Sequence, residues 1–208
     1  MTRRAAFSGR MRSTCFFLCI ILLAVAVGSA VAQPSRVFVV GLAVAGTIQQ
    51  GPDAGNYYIA FSTQPGLLVG PEPTGRGWTH YVLFQRGRFF FAAIRTIDQP
   101  PFLFRTTLPP QPYTRAAVGP DQKTIRVELP LNLLAPPGGG TLEQIKINAV
   151  TTDPTNRPYD ALGRGPDDPF GFVTFDLTRD LFRRWEQPRG RAPADYDIVE
   201  LTATVEIP

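Results

Sequence analysis

Short runs rich in Val, Ile, Phe, Tyr and Thr alternate with polar residues along most of the chain, and Pro and Gly fall between the runs. In the segment 123–129, Ile125, Val127 and Leu129 share one side of an extended chain, with Thr124, Arg126 and Glu128 on the other. A period of two is the pattern of a strand with one face against a core. The same period sets Val199, Leu201, Ala203, Val205 and Ile207 opposite Glu200, Thr202, Thr204 and Glu206. Reading every run between its breakers predicts strands at 36–48, 56–63, 78–85, 88–96, 102–107, 113–118, 123–129, 143–152, 171–177 and 196–207. One segment, 178–186, has helical spacing instead: Leu181, Phe182 and Trp185 recur along it and Pro188 follows its end. Many short strands with one short helix near the C-terminus predict an all-β fold, an antiparallel β-sandwich of jelly-roll type.

The stretch 77–95, GWTHYVLFQRGRFFFAAIR, reads as a hairpin turning at Arg86-Gly87. That turn places Gln85 opposite Arg88, Phe84 opposite Phe89, Val82 opposite Phe91, His80 opposite Ala93 and Trp78 opposite Arg95. Both of its faces are apolar near the turn, so the hairpin is expected to be covered on both sides. At the open end, Trp78 and Arg95 are placed for a cross-strand cation–π contact.

The first residues belong to a different regime. Arg3, Arg4, Arg10 and Arg12 precede an apolar run from Cys15, and Ala30-Val31-Ala32 supplies small residues at the end. This is the pattern of a secretion signal cleaved after Ala32, leaving a single domain over 33–208 that is secreted or periplasmic. An uncleaved membrane anchor is the competing reading, and the Arg3-Arg4 pair leaves both the general and the twin-arginine export routes open. Against an anchor, the β pattern begins by Arg36, which leaves almost no spacer.

Cleavage changes the composition that matters. The chain carries 21 basic and 17 acidic residues, and loss of the four leader arginines leaves 17 against 17. The basic excess therefore belongs to the leader, which removes the main support for a nucleic-acid partner. Cys15, Cys19, Met1 and Met11 depart as well, and these are all the cysteines and methionines of the chain. Disulfides, thiolate metal sites, iron–sulfur clusters and cysteine nucleophiles are excluded for the processed protein, whose stability must come from burial.

Residues 124–153, TIRVELPLNLLAPPGGGTLEQIKINAVTTD, resemble an element of the family-nine carbohydrate-binding-like and DOMON-like extracellular β-sandwiches. Glu128, Pro130 and Leu131 stand for one recurring phrase, Asn148 and Asp153 for another. The resemblance spans about 56–178 and implies a jelly-roll module with a glycan or cell-envelope component as partner. Haem ligation, as in DOMON-like cytochromes, is not implied here, because the processed chain has no methionine to ligate it. Sugar-binding relatives clamp their ligand between two exposed tryptophans; this chain has only Trp78 and Trp185, and Trp185 is expected to pack the helix.

Two sets of site residues follow. Trp78, Tyr57, Tyr58 and Tyr81, with Arg95, are candidates for a stacking platform under a sugar ring or other flat ligand. The competing reading makes Trp78 a cap on the core and His80 a hydrogen-bonded sheet residue. Asp153, Asp160, Asp167 and Asp168 concentrate carboxylates in one loop and are candidate calcium ligands, although Asp-Pro and Gly-Pro-Asp form turns without any ion. No other cofactor is implied. For a hydrolase, His80 is the only histidine and neither Ser35 nor Ser62 stands in a G-x-S-x-G elbow. The expectation is a secreted non-enzymatic β-sandwich with a binding or envelope-associated structural role, with a stand-alone carbohydrate-binding module and an uncharacterised hydrolase as alternatives.

Overall fold

The computed structural model describes residues 36–64, 77–93, 110–137, 139–162 and 172–207, all within the unit Pro34–Pro208. The leader and its cleavage site, the expected strand 102–107, Arg95, Asp167 and Asp168 lie outside the described residues. Among the described residues twelve strands are formed: β1 (Val37–Val44), β2 (Asn56–Ser62), β3 (His80–Gln85), β4 (Arg88–Ala93), β5 (Gln111–Pro112), β6 (Ala116–Val118), β7 (Thr124–Pro130), β8 (Gln144–Thr152), β9 (Pro158–Ala161), β10 (Val173–Asp176), β11 (Phe182–Glu186) and β12 (Ile198–Glu206). One sheet has the order β11-β12-β1-β7-β6. The other runs β10-β8-β2-β3-β4-β5, and β9 pairs with β8 on the edge that β10 also uses. Every pairing is antiparallel, as an all-β sandwich requires.

The period-two pattern is what presses the sheets together. Phe38, Val40 and Leu42 of β1 and Ile125, Val127 and Leu129 of β7 are all buried, and they meet Tyr57, Ile59 and Phe61 of β2 and Ile145 and Ile147 of β8. Phe38 joins the two layers directly, edge-on to Phe175 with ring centroids 5.1 Å apart and to Phe61 at 6.4 Å. The second sheet is buried on its outer face too. Tyr58, Ala60, Trp78, Leu83, Val150 and Ala161 form a separate apolar cluster there, with Tyr81, Phe90 and Phe172 beside it.

The hairpin has the expected register, from Gln85 opposite Arg88 to His80 opposite Ala93. Arg86 and Gly87 both take positive φ, 50° and 73°, as a two-residue turn of type I′ demands. The expected face of Trp78 is different. Thr79 N–H donates to the Phe61 carbonyl at 2.7 Å, although the ladder sets Phe61 opposite His80. Two residues thus oppose one, the extra residue reverses the alternation, and Trp78 joins Tyr58 and Tyr81 on the outer face instead of Val82 and Phe84 on the inner one.

Three other expectations are corrected. The helix at 178–186 is absent: Asp176 caps a tight turn by accepting from Thr178 N–H and Thr178 Oγ1, and β11 then adds to the edge of β12. Pairing with a nine-residue strand outweighs a three-residue helical pattern, and Trp185 alone of the apolar triad packs on the core while Leu181 and Phe182 are exposed. The only helical turn among the described residues is a 3-10 segment at Leu131–Leu134. In β12, an irregularity places Ala43 opposite Glu200 but Val44 opposite Ile198, so Ile198 is fully buried and Val199 is not. Ile207 extends the pattern but not the core, being 69% exposed. Last, β9 occupies part of the expected acidic loop, and Asp160 lies within it.

Candidate functional site

The expected aromatic platform is largely interior. Trp78 and Tyr57 are each 1% exposed and Tyr58 is 7% exposed, while Tyr81 is half-buried. Tyr57 belongs to the inter-sheet core, where its Oη accepts from Gln49 N–H at 2.9 Å and donates to the Asp195 carbonyl at 3.0 Å, and its ring stacks on Tyr196. Burial pushes its phenol above the ordinary range. Tyr58 packs against Trp78 and Tyr81, and its Oη donates to Asn156 Oδ1 at 2.8 Å; burial pushes its phenol up to about 12. Trp78, Tyr58 and Tyr81 make one cluster on the outer face, apart from Tyr57 on the inner one, and it is a second core rather than an open surface.

The described acidic residues are separated in their roles. Asp153 Oδ1 accepts from Thr155 N–H, Thr155 Oγ1 and Arg157 N–H, all within 2.8 Å, which closes the turn between β8 and β9. Those bonds, that from Thr155 Oγ1 first, hold its carboxyl below the usual carboxylate range. Asp160 points inward at 8% exposure and accepts from Ile198 N–H at 2.9 Å, next to the β12 irregularity, and from Gln187 Nε2 at 3.2 Å. Among the described residues no three or more His, Cys, Asp or Glu side chains converge as a metal-binding group.

His80 lies at the end of a buried polar chain centred on Thr79 Oγ1. Thr79 Oγ1 accepts from Thr63 N–H at 3.0 Å and lies 2.9 Å from His80 Nδ1, and the imidazole stacks on Phe91. Burial disfavours the imidazolium and holds the His80 pKa down to about 4. The network ends at β2, where the chain leaves the sheet.

Directly beyond it lies a polar recess of about 280 Å³, lined by Ser62, Thr63, Gln64, Glu143, Gln144 and Lys146. The β2–β8 ladder builds it by setting Ser62 opposite Lys146. Ile145 and Ile147 face the core, so Lys146 must face outward by strand alternation. Its ammonium sits 5.4 Å from the Phe172 ring centroid, a cation–π contact at the margin of the outer aromatic cluster. Among the described residues, Ser62 Oγ and Gln64 Oε1 are buried without a hydrogen-bond partner. Buried polar atoms are nearly always paired, so two unmet ones beside one recess mark a place where hydroxyl or amide groups of a ligand would be welcome. A hydroxyl, a carboxamide, an ammonium and a carboxylate around an apolar margin can fix a polyhydroxylated molecule. Glu143 is the one carboxylate of this described lining, where the usual glycoside hydrolysis uses a facing pair.

Sequence reasoning missed these residues. The available signal was Lys146 within the apolar run 145–150, but its partner across the sheet, Ser62, is far away in the chain. No family model, no curated protein and no solved structure matches the chain.

Proposed function

We propose that the chain is an exported, non-enzymatic β-sandwich that acts by binding, and that its ligand is a glycan or other polyhydroxylated component of the cell envelope. The observation carrying this reading is the recess at the end of the β2–β8 ladder, where, among the described residues, Ser62 Oγ and Gln64 Oε1 are buried without partners beside Lys146 and Glu143. The resemblance to extracellular carbohydrate-binding-like sandwiches supports the same class of ligand. It differs from them in mechanism: hydrogen bonding in a recess replaces a tryptophan clamp, because Trp78 is committed to packing. The leader pattern supports export, with cleavage after Ala32.

The test is thermal unfolding of the processed chain against a panel of soluble envelope polysaccharides, peptidoglycan fragments and neutral oligosaccharides. A ligand at one hundred times its Kd adds about 2.7 kcal/mol and raises the midpoint visibly. The expected result is a rise with one saccharide class that Lys146→Ala and Gln64→Ala reduce at least tenfold in affinity while each variant still unfolds cooperatively. No rise across the panel would contradict a binding role and favour an envelope-associated structural one.

A further inference from the structure

We propose that Thr79 and His80 are positioning residues for the polar recess, joined in a relay by which a proton gained at His80 turns the Thr63 hydroxyl from an acceptor into a donor on the recess wall. Its use to the protein rests on the recess being the binding site. Thr79 Oγ1 is the junction. Among the described residues it has Thr63 N–H at 3.0 Å, Thr63 Oγ1 at 3.1 Å, the Phe61 carbonyl at 3.1 Å and His80 Nδ1 at 2.9 Å. A hydroxyl has one hydrogen to give and two lone pairs to receive with. Thr63 N–H can only donate, and it takes one lone pair. The Phe61 carbonyl can only accept, and Thr79 N–H already reaches it at 2.7 Å. The protonation of His80 therefore decides where the hydrogen and the second lone pair of Thr79 go.

With the imidazole neutral and its hydrogen on Nε2, Nδ1 accepts from Thr79 Oγ1, whose second lone pair accepts from the Thr63 hydroxyl. Thr63 then offers the recess only lone pairs. When Nδ1 takes up a proton from solvent it becomes a donor and fills that second lone pair. Thr79 turns its hydrogen to the Phe61 carbonyl or to Thr63 Oγ1, and Thr63 can no longer donate to it. The Thr63 hydrogen is released, and the residue, 4% exposed, has the recess it lines to turn towards.

The surroundings of His80 leave the relay as its polar contact. The residue is 3% exposed, opposite Phe61 of β2 and Ala93 of β4, and its ring stacks on Phe91. Burial is the cause that holds its pKa down to about 4, and no charged group among the described residues adds to it. Tyr113 packs on Phe91, and burial pushes its phenol up to about 12, so it stays neutral. The charged groups on the recess side are Glu143 and Lys146. At neutral pH, Thr63 Oγ1 joins Gln64 Oε1 as an acceptor on that wall and suits a ligand that presents O–H or N–H groups. Such a ligand selects the neutral imidazole, so binding and acid oppose each other, and by the same coupling the bound ligand makes His80 harder to protonate.

The experiment is NMR of the isotopically labelled processed chain, titrated from pH 7 into acid with sucrose present to hold the fold. It follows the His80 ring nitrogens and the Thr63 and Gln64 signals in the parent, Thr79→Val and His80→Gln, without any ligand. The expected result is an Nδ1 that carries no proton at pH 7 and Thr63 signals that move with the midpoint of His80. In Thr79→Val, His80 still titrates but Thr63 no longer follows it. In His80→Gln the shift of Thr63 disappears, which rules out Glu143 as its source. A proton on Nδ1 at pH 7 would overturn the proposal, as would Thr63 signals that ignore His80 or that follow it undiminished without the Thr79 hydroxyl. The tautomer and His80→Gln decide the matter even where Thr79→Val does not fold. If no saccharide binds the protein, the binding reading fails while these signals still report on the relay. A saccharide that binds at the recess should lower the His80 midpoint, and one that leaves it unmoved would overturn the relay but not the binding.

Discussion

Replacing Trp78 by alanine is expected to destabilise the fold by about 3–5 kcal/mol, the range for removing a fully buried large aromatic side chain. The ring is 1% exposed and touches Tyr58 and Tyr81 with centroids 5.5 and 5.8 Å away. Its loss leaves a cavity on the outer face of the second sheet, where Ala60, Leu83, Val150 and Ala161 would have to collapse inward. Because native domains are stable by only about 5–15 kcal/mol, the variant should unfold at far lower denaturant concentration, with unchanged slope. Urea titration of parent and variant measures this. A loss below about 1 kcal/mol would return Trp78 to the surface, and with it the stacking-platform reading.

The second large effect is a pH dependence centred on one residue. An unfolded histidine titrates near 6.5, and burial lowers His80 to about 4 in the native state. Between these values the unfolded chain binds a proton that the native chain refuses, so stability falls as pH drops from 6.5 towards 4. At about 1.4 kcal/mol per unit of pKa, the loss is on the order of 3 kcal/mol. Above pH 6.5 the contribution is fully present. Asp121, Asp153 and Asp176 have depressed carboxyls, held by backbone and threonine donors, and these release only at lower pH. His80 is the single histidine, so the attribution is clean. Urea unfolding at pH 7, 6, 5 and 4.5 should show the decline in the parent and a much flatter profile in His80→Gln. Equal slopes in the two proteins would contradict a buried neutral imidazole.

The sequence made the strands legible where alternation was local. Ile125, Val127 and Leu129 declared one face of β7, and Arg86-Gly87 declared both the turn and the register of the β3–β4 hairpin. It misled where a partner strand decides. Leu181, Phe182 and Trp185 satisfy helical spacing, yet the free edge of β12 recruits them as a strand, and no local pattern contains that edge. The extra residues at Thr79 and in β12 have the same origin, since a bulge exists only relative to the opposite strand. Trp78 was therefore placed on the wrong face, and its burial depended on contacts with Tyr58 and Tyr81 that the sequence separates. The recess was illegible because Ser62 and Lys146 become neighbours only through the β2–β8 ladder.

The claim on which the rest turns is that the second sheet is buried on both faces, so that its aromatic residues hold the fold and are withdrawn from the surface. Fluorescence of the Trp185→Phe protein tests it most directly, because Trp78 is then the only tryptophan. The account predicts blue-shifted emission resistant to acrylamide quenching, changing to red-shifted and quenchable emission only on unfolding. Red-shifted, readily quenched emission from the folded protein would contradict it.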